Sequence, residues 1–305
     1  MSGEERFELS LEAAKAHEEG FAPVMRRWAE RLVDEAGIAP GRRVLDVACG
    51  TGIVARTVAD RMGDATSVVG LDLNDARLEV ARELRPDIEW RQGDAVELPF
   101  ADGSFDAVLC QAGLMFVPDV TKALAEMSRV TRAGGTVAVM VWDRVGSQPA
   151  YDPLIEIAAR HAGPDAVTQL GTYFALGDLD ELTSRLGSAD LHVTHATTHE
   201  TIVRFPSVDA FVLAEVDATP LAERLTEEQL SAILEDTRES LRPFVEDDGQ
   251  AAISIRGHRV IAAKVREDPD RREVGRPPGR PTPHPTTPRS GRRIRPPGRR
   301  RRRSR

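Results

Sequence analysis

Apolar positions along the chain change their spacing several times, and each change marks an element. Between residues 9 and 37, Leu11, Ala14, Phe21, Met25, Trp28, Leu32 and Val33 recur at helical intervals. This predicts one long helix, with Pro40-Gly41 as the break that follows it. Short apolar runs then alternate with helical patterns. The runs fall at Arg43–Ala48, Ser67–Leu73, Ile88–Gln92, Phe105–Gln111 and Thr136–Trp142. Helices are expected at about Gly52–Arg61, Asp75–Leu84 and Thr121–Thr131, with Asn74 capping the second and Gly134-Gly135 ending the third. Val137-Ala-Val-Met-Val-Trp142 shows no polar alternation, which suits a parallel strand covered on both faces. Strand alternating with helix predicts βαβ units with right-handed crossovers.

After Asp143 the pattern loosens. Residues 150–163 and 179–187 read as helical, and Leu191–Phe205 is a Thr/Val-rich strand. Pro206-Ser207 opens another helical stretch, and Thr226-Glu-Glu-Gln229 is a capping box for a helix running to about Leu241. Ala251–Val265 is a last strand region. The segments 146–178 and 206–246 are therefore placed as lids, the second inserted between two strands and able to sit over the sheet. No internal repeat is found.

Charge divides the chain in two. Of 305 residues, 41% are apolar and 30% charged, an ordinary globular mix that excludes a collagen or coiled-coil rod. Residues 271–305 hold fourteen Arg and one Glu, a net of +13 against −8 for the whole, so residues 1–270 carry −21. An acidic body has no general attraction for nucleic acid or anionic membrane. From Glu267 onward the Pro/Gly/Arg-rich sequence has too few apolar side chains to offset its ordering entropy, so 267–305 is expected to be a disordered tail. It could meet nucleic acid non-specifically through its arginines, but no aromatics are interleaved for base stacking. No apolar run reaches the roughly 18 residues of a membrane span, and the acidic start lacks a signal-peptide stretch; a soluble, cytoplasmic protein is expected. Two cysteines, Cys49 and Cys110, make neither a disulfide framework nor a zinc site and read as small buried hydrophobes.

The chemistry is concentrated in Val44-Leu-Asp-Val-Ala-Cys-Gly-Thr-Gly-Ile-Val-Ala55, a strand, a glycine turn and a helix start. Gly50 and Gly52 let backbone pass close to a ligand, and the helix beyond presents free N–H groups. Asp72, twenty residues past Gly52 at the next strand's end, is placed to accept both hydroxyls of a ribose. Gly50-Thr-Gly-Ile-Val-Ala55 also fits the dinucleotide fingerprint by letter, so a nicotinamide-dependent oxidoreductase is the alternative enzyme. Asp46 separates the two. A carboxylate below the turn would repel a pyrophosphate and attract a ligand bearing an ammonium and a sulfonium, by roughly 1–4 kcal/mol at intermediate dielectric.

At these residues the chain resembles the class I S-adenosylmethionine-dependent methyltransferases, with the flavour of the ubiquinone/menaquinone-biosynthesis and natural-product group. Val44–Gly52 is similar to the family's first motif and Val69-Gly-Leu-Asp72-Leu-Asn to its acidic strand end. Gln92-Gly-Asp94-Ala95, Asp102-Gly-Ser-Phe105-Asp106 and Leu124–Gly135 continue the match in order, over about residues 25–145. The resemblance implies an α/β fold: a three-layer Rossmann-like sandwich, mostly parallel and seven-stranded, with an antiparallel last strand and helical lid insertions. It implies S-adenosylmethionine as cofactor, with Asp46 facing the methionyl amine and the Ala48–Gly52 backbone, including Thr51, cradling the amino-acid part. It further implies Asp72 on the ribose, Leu73 on the adenine, Asp94 and the Ala95 N–H at the adenine edge, and Gln111 beside the sulfonium. The domain implied is 1–266, with N-terminal helices 9–37, a cofactor core 42–145 and the two lids. Cys110-Gln-Ala-Gly-Leu-Met-Phe116 lacks the Asn-Pro-Pro-Tyr of amino-methylating nucleic-acid enzymes, and no Pro-Cys is present there for cytosine chemistry. The expected reaction is therefore methyl transfer to O or C of a small molecule, quinone-like, phenolic or a natural-product intermediate.

Methyl transfer by in-line displacement needs positioning and a dry pocket. Phe21, Met25, Met115, Phe116, Trp142 and Phe174 are candidate walls. An oxygen nucleophile often needs a base. The sequence offers only His17, on the first helix, and His161, in the variable region. His192, His195 and His199 suggest a metal, but strand alternation points His192 away from the other two, so no metal is expected. A third reading, a non-enzymatic RNA-binding module using the basic tail, is opposed by the acidic body.

Overall fold

The computed structural model describes residues 11–217 and 219–265, apart from the side chains of Ala16, His17, Pro220 and Glu223. The tail 267–305, for which the composition predicts disorder, lies outside the described residues.

The first helix, α1 (Leu11–Glu35), packs Trp28, Ala29, Leu32 and Val33 inward. Then come β1 (Val44–Val47), α2 (Ile53–Met62), β2 (Val68–Asp72), α3 (Asp75–Leu84), β3 (Glu89–Gln92) and β4 (Phe105–Gln111). Every residue of β1 and β2 is buried, as expected for central parallel strands. Asn74 caps α3 by accepting from the Arg77 N–H at 3.1 Å. The chain continues through α4 (Val120–Val130) into β5 (Thr131–Trp142). The expected stop at Gly134-Gly135 lies elsewhere: α4 ends at Val130, where Thr131 turns extended and its hydroxyl returns to the Met127 carbonyl at 2.7 Å. The glycines sit inside β5, in the irregular stretch between the Phe105–Thr131 and Ala107–Thr136 pairings, where a Cβ on Gly135 would strike Thr131 and the Asp106 carbonyl.

After β5 the chain forms α5 (Tyr151–Ala162), α6 (Pro164–Gly171), α7 (Leu179–Ser188), α8 (Val208–Asp217) and α9 (Glu227–Ser240). Both halves of the Thr226 capping box form. The eight-residue α6, with Pro164 in its first turn, is too short to show in the apolar pattern. The last strands are β6 (Leu191–Phe205) and β7 (Ala251–Lys264). No described helix is long and apolar enough to cross a membrane.

The sheet order is β3-β2-β1-β4-β5-β7-β6. The first five strands are parallel; β7 runs antiparallel between β5 and β6. Helices cover both faces, giving the expected three layers. Two consequences position the site. Strand order reverses at β1 and β4, so a crevice opens at their carboxyl ends. And β5 ends opposite Gly257, whereas β6 pairs with β7 back to Ala251. Residues 251–256 of β7 therefore overhang the sheet, paired to β6 and, at Ala251, bridged to Val245. Gln148 secures this overhang: it donates to the Asp143 and Arg256 carbonyls at 3.0 and 2.9 Å and accepts from the Arg256 N–H at 2.9 Å.

Candidate active site

At the carboxyl end of β1 the chain must turn sharply into α2, and three residues take positive φ: Ala48 at 53°, Gly50 at 56° and Gly52 at 85°. A left-handed alanine is uncommon and costs of order 1 kcal/mol. It is held where the Ala48 side chain meets Gly113, just beyond β4, so closely that a Cβ on Gly113 would clash with it. Gly52 differs from expectation. It does not line the cavity; its backbone lies against the Trp90 indole, where any Cβ would overlap the ring. Its glycine is required by packing and by φ.

Two buried carboxylates fix the turn. Asp72 accepts from the Gly50 N–H at 2.8 Å and the Asn74 N–H at 2.9 Å, one oxygen each. Asp46, 1% exposed, accepts from the Ala55 N–H at 2.9 Å. Burial pushes the Asp46 carboxyl up to about 8, with the Asp72 charge adding to the rise and the Ala55 N–H opposing it. Such a carboxyl ionises readily only beside a cation. The turn is also tied to α1. The Thr51 hydroxyl donates to Glu18 at 2.5 Å, Glu18 pairs with Arg56 at 2.7 Å, and the Gln111 amide donates to the Met25 carbonyl at 3.1 Å.

These groups border one cavity of about 770 Å³. Asp46, Ala48, Gly50, Thr51, Asp72, Leu73, Asp94, Ala95 and Gln111 all line it; of the expected cofactor residues only Gly52 does not. Asp94 accepts from the Val96 N–H at 3.0 Å, and Leu73 is 40% exposed, open to cover a ring. The Gln111 Oε1 is buried without a hydrogen-bond partner, an acceptor that an incoming donor would satisfy. The acceptor set suits S-adenosylmethionine: carboxylates for the donors of an ammonium and a ribose, with an orphan carbonyl close by.

The rest of the cavity is aromatic. Phe21, Met25, Phe116, Trp142 and Phe174 line it as expected, while Met115 is packed in the core. Sequence reasoning missed Tyr151, Tyr173 and Glu215, together with Val203, Phe205 and Ile255 from the overhanging ribbon. Phe116 and Tyr173 meet edge to face at 5.3 Å, as do Tyr151 and Phe174 at 5.2 Å.

His161 is not brought to this cavity. Its Nε2 lies 2.8 Å from Asp236 and its carbonyl accepts from Gln229 at 3.1 Å, so it joins α5 to α9. The His17 side chain lies outside the described residues. His192, His195 and His199 form no metal cluster among the described residues; His199 packs edge-on against Trp28 at 5.7 Å. Burial pushes both thiols up, Cys110 to about 12, consistent with their reading as small hydrophobes.

Residues 45–139 match the methyltransferase-domain family. The demethylmenaquinone methyltransferase of Renibacterium salmoninarum is 48% identical over 128 residues, covering 42% of this chain and 51% of that one. The enzyme of the same name from Paenarthrobacter aurescens is 37% identical over 174 residues, covering 54% and 68%. Among solved structures, the YcgJ protein of Bacillus subtilis superposes with a TM-score of 0.56 at 18% identity, over 79% of this chain and all of that one, which shows the shared fold. The chain spans about half the length of the curated relatives it matches, and two thirds of the Paenarthrobacter one. With the acidic glycine turn and the matched span in agreement, the chain belongs to the class I S-adenosylmethionine-dependent methyltransferases, in the quinone-biosynthesis group.

Proposed function

We propose that the protein transfers a methyl group to an oxygen or carbon of a small aromatic molecule of the quinone or phenol type. One observation carries this reading: a single cavity joins a cation-welcoming acidic turn to an aromatic chamber. The relatives named for demethylmenaquinone agree with a substrate of that class.

S-adenosylmethionine supplies the methyl group on a sulfonium and departs as a neutral thioether. The residues of the chain bind and align. Asp46 takes the ammonium end, Gln111 lies beside the sulfonium, the Ala48–Thr51 backbone lies along the amino-acid part, and Asp72 takes the ribose. Leu73, Asp94 and Ala95 border the adenine. Trp142, Phe116 and Phe174 hold a flat substrate and keep water out, which favours a step that disperses charge. We place the methyltransferase domain at residues 1–266, in the cytoplasm, with the tail outside the catalytic function.

Calorimetric titration with S-adenosylhomocysteine and, separately, NADH tests the cofactor. Incubation with methyl-labelled S-adenosylmethionine and reduced 1,4-naphthoquinone, read by mass spectrometry, tests the substrate class. Binding of NADH alone would overturn the reading. Truncation after Arg266 is expected to leave S-adenosylhomocysteine affinity unchanged; a loss would bring the tail into the site.

A further inference from the structure

The run Phe211-Val-Leu-Ala-Glu-Val216 in α8 is apolar except for one acid, and the helix buries that acid with its neighbours. Glu215 is 5% exposed. A buried carboxylate normally meets a cation. Here its partner is a phenol: the Tyr151 hydroxyl donates to Oε1 at 2.9 Å. Tyr151 is itself wedged between Phe174 and Phe211, ring centres 5.2 Å from each, so the carboxylate is held by a rigid donor. Both residues line the cavity, on the two lids that the sequence left without a motif.

The geometry points to Glu215 as the catalytic base that takes the proton from the substrate's aromatic hydroxyl. This rests on the methyl transfer proposed above. The hydroxyl proton passes to a Glu215 oxygen, and its electron pair stays on the substrate. The substrate oxygen, or a ring carbon conjugated with it, forms the new bond to the methyl carbon as the carbon–sulfur bond breaks toward sulfur. When carbon attacks, the ring hydrogen leaves as a proton and the hydroxyl is restored, so one proton is released to water by either route.

The surroundings support this role. Burial pushes Glu215 up to about 7 while the Tyr151 bond draws it down, so the group both takes and releases a proton near neutrality. Burial and the Glu215 charge push the Tyr151 and Tyr173 hydroxyls up, which removes them as competing bases. The other ionisable groups of the cavity are Asp46 in β1, Cys49 in the turn, Asp72 at the end of β2, Asp75 and Arg77 in α3, and Asp94 after β3. On α8 itself, Asp209 is tied to Arg238 at 2.6 Å and Asp217 is exposed. A second cation beside a sulfonium would be repelled, whereas a substrate made anionic there is attracted. That favours an acidic hydroxyl over an ammonium as Glu215's partner.

The test uses the full chain, with Glu215→Gln and Tyr151→Phe, and anaerobic 1,4-naphthohydroquinone as probe at saturating labelled cofactor. Wild type should show kcat rising with pH to a plateau above about 7. Glu215→Gln should lose roughly 100-fold or more in kcat, lose that limb, keep its S-adenosylhomocysteine Kd, and melt no lower than wild type, because the buried carboxyl that opposes folding as pH rises is gone. Tyr151→Phe should shift the limb to higher pH, because the bond that favours the ionised carboxylate is gone. Difference infrared spectra should show a carboxylic-acid band that titrates with the limb and is missing from Glu215→Gln. A Glu215→Gln enzyme with wild-type rate, or with the limb in place, overturns the assignment while the methyltransferase reading stands. A wild type that fails to bind S-adenosylhomocysteine overturns that reading itself; one that binds it but leaves the probe unmethylated overturns the substrate class and this base with it.

Discussion

Asp46→Asn isolates the electrostatics on which cofactor choice depends. The folded carboxyl titrates at about 8 against an ordinary 3.8. Over that interval the folded state holds a proton that the unfolded state has released, so stability falls as pH rises. Each pH unit costs about 1.4 kcal/mol, or about 4 kcal/mol from about pH 5 to about pH 8. For a domain of this size that corresponds to a Tm loss of roughly 8–15 °C. The amide oxygen introduced by the substitution can still accept from the Ala55 N–H, so the variant keeps the turn and is spared the titration. Glu215 titrates in the same direction, raised from 4.5 to about 7, but it is common to both proteins and cancels in the difference. Melting curves across the range should therefore show wild type losing Tm relative to Asp46→Asn as pH rises. Adding S-adenosylmethionine should reverse this, since an ammonium beside Asp46 favours the ionised form; its stabilising effect should grow with pH in wild type and stay flat in the variant. A wild-type-minus-variant Tm difference that does not move with pH refutes the reasoning.

Gly52→Ala should cost about 1–3 kcal/mol through its positive φ and displace Trp90, measured as a lowered Tm with altered tryptophan fluorescence; an unchanged emission spectrum would contradict the packing argument. Arg259, 3% exposed, donates to Glu35 at 2.9 and 2.7 Å and lies over the Trp28 ring, so Arg259→Ala should cost about 3 kcal/mol by urea unfolding. An unchanged midpoint would remove this pair from the account of how α1 is anchored to β7. His161→Ala should lower Tm by loosening α5 from α9 while kcat stays within about twofold; a large fall in kcat would return His161 to the chemistry.

The contrast between the two ends of the cavity shows what a sequence can disclose. The turn end is local: Asp46, Ala48, Gly50 and Thr51 fall within six residues, and Asp72 ends the neighbouring strand. Its constraints act through backbone, which restricts residue type at fixed spacing, so it was legible together with the α/β order and nearly all strand limits. Gly52 was legible as a glycine but not for its reason, because Trp90 approaches from β3, thirty-eight positions away. The aromatic end is assembled from α1, α5, α8, the segment Thr172–Phe174 and the overhanging ends of β6 and β7, which meet only in three dimensions. Aromatic residues there look like any core, and histidines, the ordinary proton carriers, drew attention to His161, which is committed to Asp236. One signal was present and local: an acid alone in an apolar helical run has to be buried, and a buried acid needs a partner or a task. That reasoning selects Glu215 from α8 by sequence. The packing of Tyr151 between Phe174 and Phe211 then fixes the hydroxyl that holds the selected carboxyl, and both groups line the cavity, a placement that no single stretch of sequence records.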